Sequence, residues 1–134
     1  MSEAPPGQMR IWLGGVVPPT LNTTLRQHWS KRGRGTRAMA WQIRAGIKGA
    51  LPAAPLPRAH VRIERRAPGT IPDQDGATGG CKGLIDCLLP MDAKRRPYGL
   101  GILRDDSPAH MTLEVRTVRV PSAEKGTLVL ITPL

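Results

Sequence analysis

Apolar and polar positions along the chain alternate in a way that predicts four extended segments and two helices. Residues 9–17 (MRIWLGGVV) read as a first strand, interrupted or bulged at Gly14-Gly15 and ended by Pro18-Pro19. Residues 20–35 read as a basic loop. In residues 36–50, Met39, Ile43 and Ile47 recur at helical spacing behind Thr36, a candidate N-cap. PAAPLP at 52–57 reads as a linker. From His60 to Arg66 the pattern alternates, with Val61 and Ile63 on one side and Arg62 and Glu64 on the other, as in a half-buried strand. A Pro/Gly-rich turn over 67–72 leads to a second helix over 75–89, followed by an irregular basic loop over 90–104. Residues 111–120 and 127–132 read as two strands about a turn near Ser122 to Gly126, expected to form a hairpin. The order β-α-β-α-β-β predicts one α/β (α+β) domain with a mixed sheet and two helices over residues 9–134, after a disordered tail at residues 1–8.

The second helix is amphipathic in an informative way. On a wheel of ~100° per residue with Asp75 at zero, Lys82 falls at about −20° and Asp86 at about +20°. Ala77, Cys81, Leu84, Ile85 and Leu88 fall between roughly 180° and 280°. An acid–lysine–acid face therefore lies opposite a core face. Gly76, Gly79, Gly80 and Gly83 beside the polar face weaken the helix, at up to ~1 kcal/mol each relative to alanine. They also leave room for a close backbone approach.

Charge changes the picture further. The chain of 134 residues carries a net charge of +10 and only ten acidic residues. Residues 1–66 hold 12 Lys and Arg against Glu3 and Glu64, whereas residues 67–134 hold 8 of each sign. The whole basic excess thus lies in the first half, as expected for a polyanion partner. Five of the acids, Asp73, Asp75, Asp86, Asp105 and Asp106, lie in two short stretches and one helix. Carboxylates gathered in this way repel one another unless a cation holds them. Asp73 and Asp75 sit two apart just before this helix, and an extended stretch there points both carboxylates to the same side. Asp105-Asp106-Ser107-Pro108 is a turn able to bring a third carboxylate. Oxygen-only donors suit Mg²⁺ or Mn²⁺, and such a site hydrolyses phosphodiesters, with Lys82 able either to stabilise the transition state or to position the water. Each piece also has an ordinary structural reading: Asp before a helix is a cap, Lys82 and Asp86 are an i,i+4 pair, and Asp105-Asp106 is a turn.

Other classes fit less well. No apolar run approaches the ~20 residues of a membrane span, so no membrane partner is expected. Three Trp, one Tyr and no Phe make a base-stacking platform a poor expectation, with Trp12, Trp29 and Trp41 read as core or loop anchors. His28, His60 and His110 show no zinc spacing with Cys81 and Cys87, which read as reduced thiols of a cytoplasmic protein. In the basic loop, Asn22, Arg26, His28, Lys31, Arg32 and Arg34 are candidate DNA contacts.

Several segments together resemble the RusA-type Holliday-junction resolvases: PPTLN at 18–22, RQHWSKRGR at 26–34, DQDGATGGCKGLIDCL at 73–88, RDDSP at 104–108 and the closing strand GTLVLI. The resemblance runs from about residue 10 to 132, and the D-x-D…K…D…DD series is its specific part. It implies that Asp73, Asp75 and Asp106 bind Mg²⁺ or Mn²⁺, that Lys82 is the catalytic lysine, and that Asp86 and Asp105 support them. It further implies a phage- or prophage-encoded homodimer, acting in the bacterial cytoplasm on four-way DNA junctions without a small-molecule cofactor. Two departures stand out: Gly76 replaces the family's usual Asn, and Lys82 lies seven residues after Asp75 where the founding member has four. The Gly76 departure sustains the alternative of a non-catalytic basic DNA-binding protein with the resolvase fold. An RNA- or ribosome-associated basic protein is a weaker third reading.

Overall fold

The structure, a computed structural model, describes residues 7–17, 29–47, 51–69, 71 and 74–134, with 29–37 and 75 described by backbone alone. Its elements are β1 (Met9–Gly14), α1 (Trp29–Ile47), β2 (Ala59–Ala67), α2 (Gln74–Gly80), α3 (Lys82–Leu88), β3 (Met111–Arg119), a 3₁₀ turn (Ser122–Glu124) and β4 (Gly126–Pro133). This is a single α+β arrangement with one mixed four-stranded sheet, in the order β1-β4-β2-β3. β4 runs antiparallel to both β1 and β2, and β2 runs parallel to β3. Among the described residues no helix is long and apolar enough to cross a membrane.

The alternation in β2 is realised as read. Ala59, Val61, Ile63 and Arg65 are buried, and His60, Arg62, Glu64 and Arg66 are half-buried on the other face. Through the register, Ile11 of β1, Val129 of β4 and Ile63 of β2 lie side by side, with Val115 of β3 opposite Ile63. The helices pack on this one face: Ala40, Ile43 and Ile47 of α1, Ala77 of α2, and Leu84, Ile85 and Leu88 of α3 join the same core.

Four expectations are corrected. The last two strands do not form a hairpin, because β4 inserts between β1 and β2. Its unbroken run Leu128-Val129-Leu130-Ile131 has the character of a central strand, and Leu128, Val129 and Ile131 are buried. α1 begins at Trp29 rather than at 36, so Thr36 is interior and Lys31, Arg32 and Arg34 belong to a helix. The helix over 75–89 is two helices broken at Cys81, whose N–H reaches only Thr78 O at 3.1 Å; among the described residues the α-helices therefore number three, not two. β1 stops at Gly14, and Gly15 turns the chain with φ of 75°. Of the tail expected at 1–8, residues 1–6 lie outside the described residues, while Gln8 Nε2 donates to Thr132 Oγ1 at 3.0 Å.

No described helix covers the other face of the sheet, which carries its charges in pairs. Arg66 Nε donates to Glu64 at 2.7 Å, Arg116 Nε approaches Glu114 at 3.2 Å, and His60 Nε2 lies 3.6 Å from Glu114. The Arg66 guanidinium also stands 5.4 Å from the centre of the Trp12 ring. Trp12, 45% exposed, is thus a lid on this face and not a core anchor. Its ring occupies the space where a Cβ at Gly126 would stand. Gly126→Ala should therefore displace Trp12, red-shifting its fluorescence and lowering stability in urea by about 1–3 kcal/mol.

Candidate functional site

β2 and β3 are parallel, so their connection must return along the sheet, and residues 68–110 make that crossover. Every residue of the acid–lysine series lies on it. Asp73 lies outside the described residues, as do Asn22, Arg26 and His28. Asp75 is placed by its backbone in the first turn of α2. Next to it Gln74 fixes that turn against the sheet, its Nε2 donating to Val115 O at 2.8 Å.

Lys82 and Asp86 lie within α3 on the side away from the core, with Nζ 3.4 Å from Oδ1. The lysine side chain is 73% exposed and the aspartate 31%. A pair so open to water contributes only about 0.3–0.5 kcal/mol. Its geometry therefore owes little to stability and leaves the ammonium able to meet another anion. The opposite face is buried as the wheel requires: Ala77, Cys81, Leu84, Ile85 and Leu88 are all below a tenth exposed.

Asp105 and Asp106 occupy the other end of the crossover. Arg104 N–H donates to Leu56 O at 3.0 Å just before them, and a turn closed by Met111 N–H to Ser107 O at 2.9 Å follows. The Asp105 carboxylate accepts from Ser107 and from Asp106 N–H, at 2.9 Å in the latter case, and these bonds hold its pKa below the ordinary value. Met111, at the start of β3, lies four residues from the Val115 carbonyl that anchors α2, or ~13 Å along an extended strand. Among the described residues no three His, Cys, Asp or Glu side chains are grouped to hold a metal ion. Asp105 and Asp106 supply hard oxygen donors suited to Mg²⁺, and the remaining donors would have to come from Asp73 and Asp75.

Two features went unread in the sequence. Arg65 is 5% exposed on the helix-covered face, where its Nη1 donates to Thr117 Oγ1 at 3.1 Å. Burial lowers its pKa, and the nearby Cys81 sulfur opposes the shift. Its parity with Val61 and Ile63 already placed it on that face. Asp92 is the second: its carboxylate accepts from Lys94 N–H at 2.9 Å and Arg95 N–H at 3.1 Å, which ties the basic loop into a compact turn.

The cysteines have no part in this chemistry. Burial pushes the Cys81 thiol up to about 11, and burial with the Asp86 charge pushes Cys87 to about 12. Both stay protonated at neutral pH and make poor nucleophiles. Near pH ~8 the folded protein should leave both thiols unreacted toward Ellman's reagent, and denaturation should release them. Because the raised pKa values favour the neutral form in the folded state, this stabilisation is complete below pH 9.0. It is lost as pH rises toward about 11 and 12, and urea titrations over that window should show the decline, less steep in Cys87→Ala.

Compared with known proteins, the chain matches no family model, and no curated protein sequence matches it.

Proposed function

We propose that the protein is a Mg²⁺- or Mn²⁺-dependent, structure-selective DNA endonuclease that hydrolyses phosphodiesters at four-way junctions, in the manner of the RusA-type resolvases. The observation that carries the reading is the solvent-facing Lys82–Asp86 pair of α3, set on the same crossover as the Asp73, Asp75, Asp105 and Asp106 carboxylates and opposite the core. Asp73, Asp75 and Asp106 would hold the divalent cation, which would supply positive charge near the scissile phosphate and a more acidic water. Asp86 orients the Lys82 ammonium, and Lys82 stabilises the charge that develops on the phosphate. The basic first half, through Asn22, Arg26, His28, Lys31, Arg32 and Arg34, holds the arms of the junction. A homodimer offers one such site for each of two opposed strands.

Gly76, where the resolvases that the chain resembles usually carry Asn, supports a second reading, a DNA-binding protein that retains the fold without cleaving. In that case removing an acid strengthens binding by reducing repulsion of phosphate.

A junction assembled from four synthetic strands separates the two. The nuclease reading expects nicked duplex products with Mg²⁺ or Mn²⁺ and none in EDTA. Asp75→Asn and Lys82→Ala should lower the rate by about 10²-fold or more, as losing a transition-state contact does. Folded, junction-binding protein that leaves the DNA intact with either metal would rule out cleavage. Replacing both Lys31 and Arg32 with alanine should reduce the slope of log affinity against log salt by about two, whichever reading holds.

A further inference from the structure

Between the second half of α1 and the loop over 91–100 runs a groove of about 300 Å³, lined by Trp41, Arg44, Met91, Pro97, Tyr98 and Leu100. It shares Pro97, Tyr98 and Gly99 with an adjoining hollow of about 200 Å³, which Asp86, Arg95 and Arg96 border. Trp41 is 64% exposed and Met91 69%, so two large apolar side chains stand in water on either side of one groove. A tryptophan in that position is not the core or loop anchor expected from the sequence. On the α1 wheel it falls about 200° from Ile43, on the face away from the core.

The groove is built rather than loose. Asp92 and Arg96 exchange backbone hydrogen bonds of 3.0 and 2.8 Å, and Leu100 N–H donates to Cys87 O at 2.8 Å. The loop lies so close to the chain leaving α3 that a Cβ at Gly99 would come within 2.7 Å of Pro90 O. The Arg96 guanidinium is tethered to Pro90 O at 3.4 Å. The charge around the groove is positive. Arg44, Lys94 and Arg95 are exposed, while the nearby acids are engaged, Asp92 in its own turn and Asp86 with Lys82. Flat apolar walls flanked by cations suit a ligand with an aromatic ring and an anionic group.

We propose that this groove binds an unstacked nucleotide of a DNA strand, its base against Trp41 and Tyr98 and its phosphates toward Arg44 and Arg95. The assignment rests on the reading of the protein as DNA-binding, and it gives that reading a place where a base opened at a branch point is held. Few aromatic residues are needed, because one base occupies one groove.

Binding of a fluorescent oligothymidylate of about 12 nucleotides, measured by anisotropy in EDTA, tests it without requiring cleavage. Trp41→Ala should weaken binding about 10-fold with an unchanged salt slope. Trp41→Phe should stay within about 3-fold of the parent. Arg44→Ala and Arg95→Ala should each reduce the slope by about one. Photocrosslinking of a bromodeoxyuridine oligonucleotide should label Trp41 or Tyr98. Unchanged affinity in folded Trp41→Ala, or crosslinks confined to residues outside the groove, overturns the proposal and leaves the groove to a peptide. Protein that cuts junctions normally as Trp41→Ala, with oligonucleotide affinity intact, overturns the groove alone. Protein that never cuts, yet loses the oligonucleotide on Trp41→Ala, overturns the nuclease and upholds the groove.

Discussion

Two parallel strands cannot be joined by a tight turn, and the pairing of β2 with β3 obliges residues 68–110 to travel back along the sheet before β3 can begin. Most of the molecule's distinctive chemistry follows from that obligation. The crossover must bury one side against the sheet, which Ala77, Cys81, Leu84, Ile85 and Leu88 do. It must also leave one side in water, and Lys82 and Asp86 occupy it. Its two ends are fastened at different levels. Gln74 bonds to the middle of β3, and Leu88 O accepts from Ile102 and Leu103 N–H beside Leu56.

The division of charge between the halves of the chain has a physical counterpart in the fold. Acids placed on the sheet, Glu64 and Glu114, are engaged by neighbouring Arg66, Arg116 and His60. Asp92 is engaged by backbone N–H groups. The crossover carboxylates Asp86 and Asp105 have lighter or local partners, a largely exposed lysine for one and a turn for the other. Carboxylates that the fold does not need for its own stability are the ones available to a ligand. Arg65 is the converse, a cation carried on the covered face and held by Thr117.

Local periodicity made part of this legible. β2, the core side of α2 and α3, and the exposed Lys82–Asp86 face all follow from residue spacing, because each depends on a single element's orientation. The parity of Arg65 and the wheel position of Trp41 are equally local, although a buried arginine and an exposed tryptophan both run against the usual preference of their residue types. The early start of α1 was hidden by Gly33 and Gly35, which weaken any local helix signal and are overridden in the folded chain. Cys87 is buried because Leu100, thirteen residues later, returns to bond its carbonyl, and no wheel contains that contact. The position of β4 is the largest such case. Adjacent strands with a short connection invite a hairpin, and only the unbroken apolar run of Leu128 to Ile131 argues for a strand with neighbours on both sides.

That placement has a bearing on how the molecule comes into being. Of the four described strands β4 comes last along the chain, yet among them it is the one that joins β1 to β2. As the polypeptide leaves the ribosome, Met9–Gly14 has no strand to pair with until Gly126–Pro133 has also emerged, more than a hundred residues later. Until then the apolar edges of β1 and β2 face water as unpaired templates, the state in which strands from different nascent chains join one another. Slow folding through distant contacts is the expected kinetic signature of this order. A host that makes the protein in quantity would need to shield those edges until the final strand slides between them.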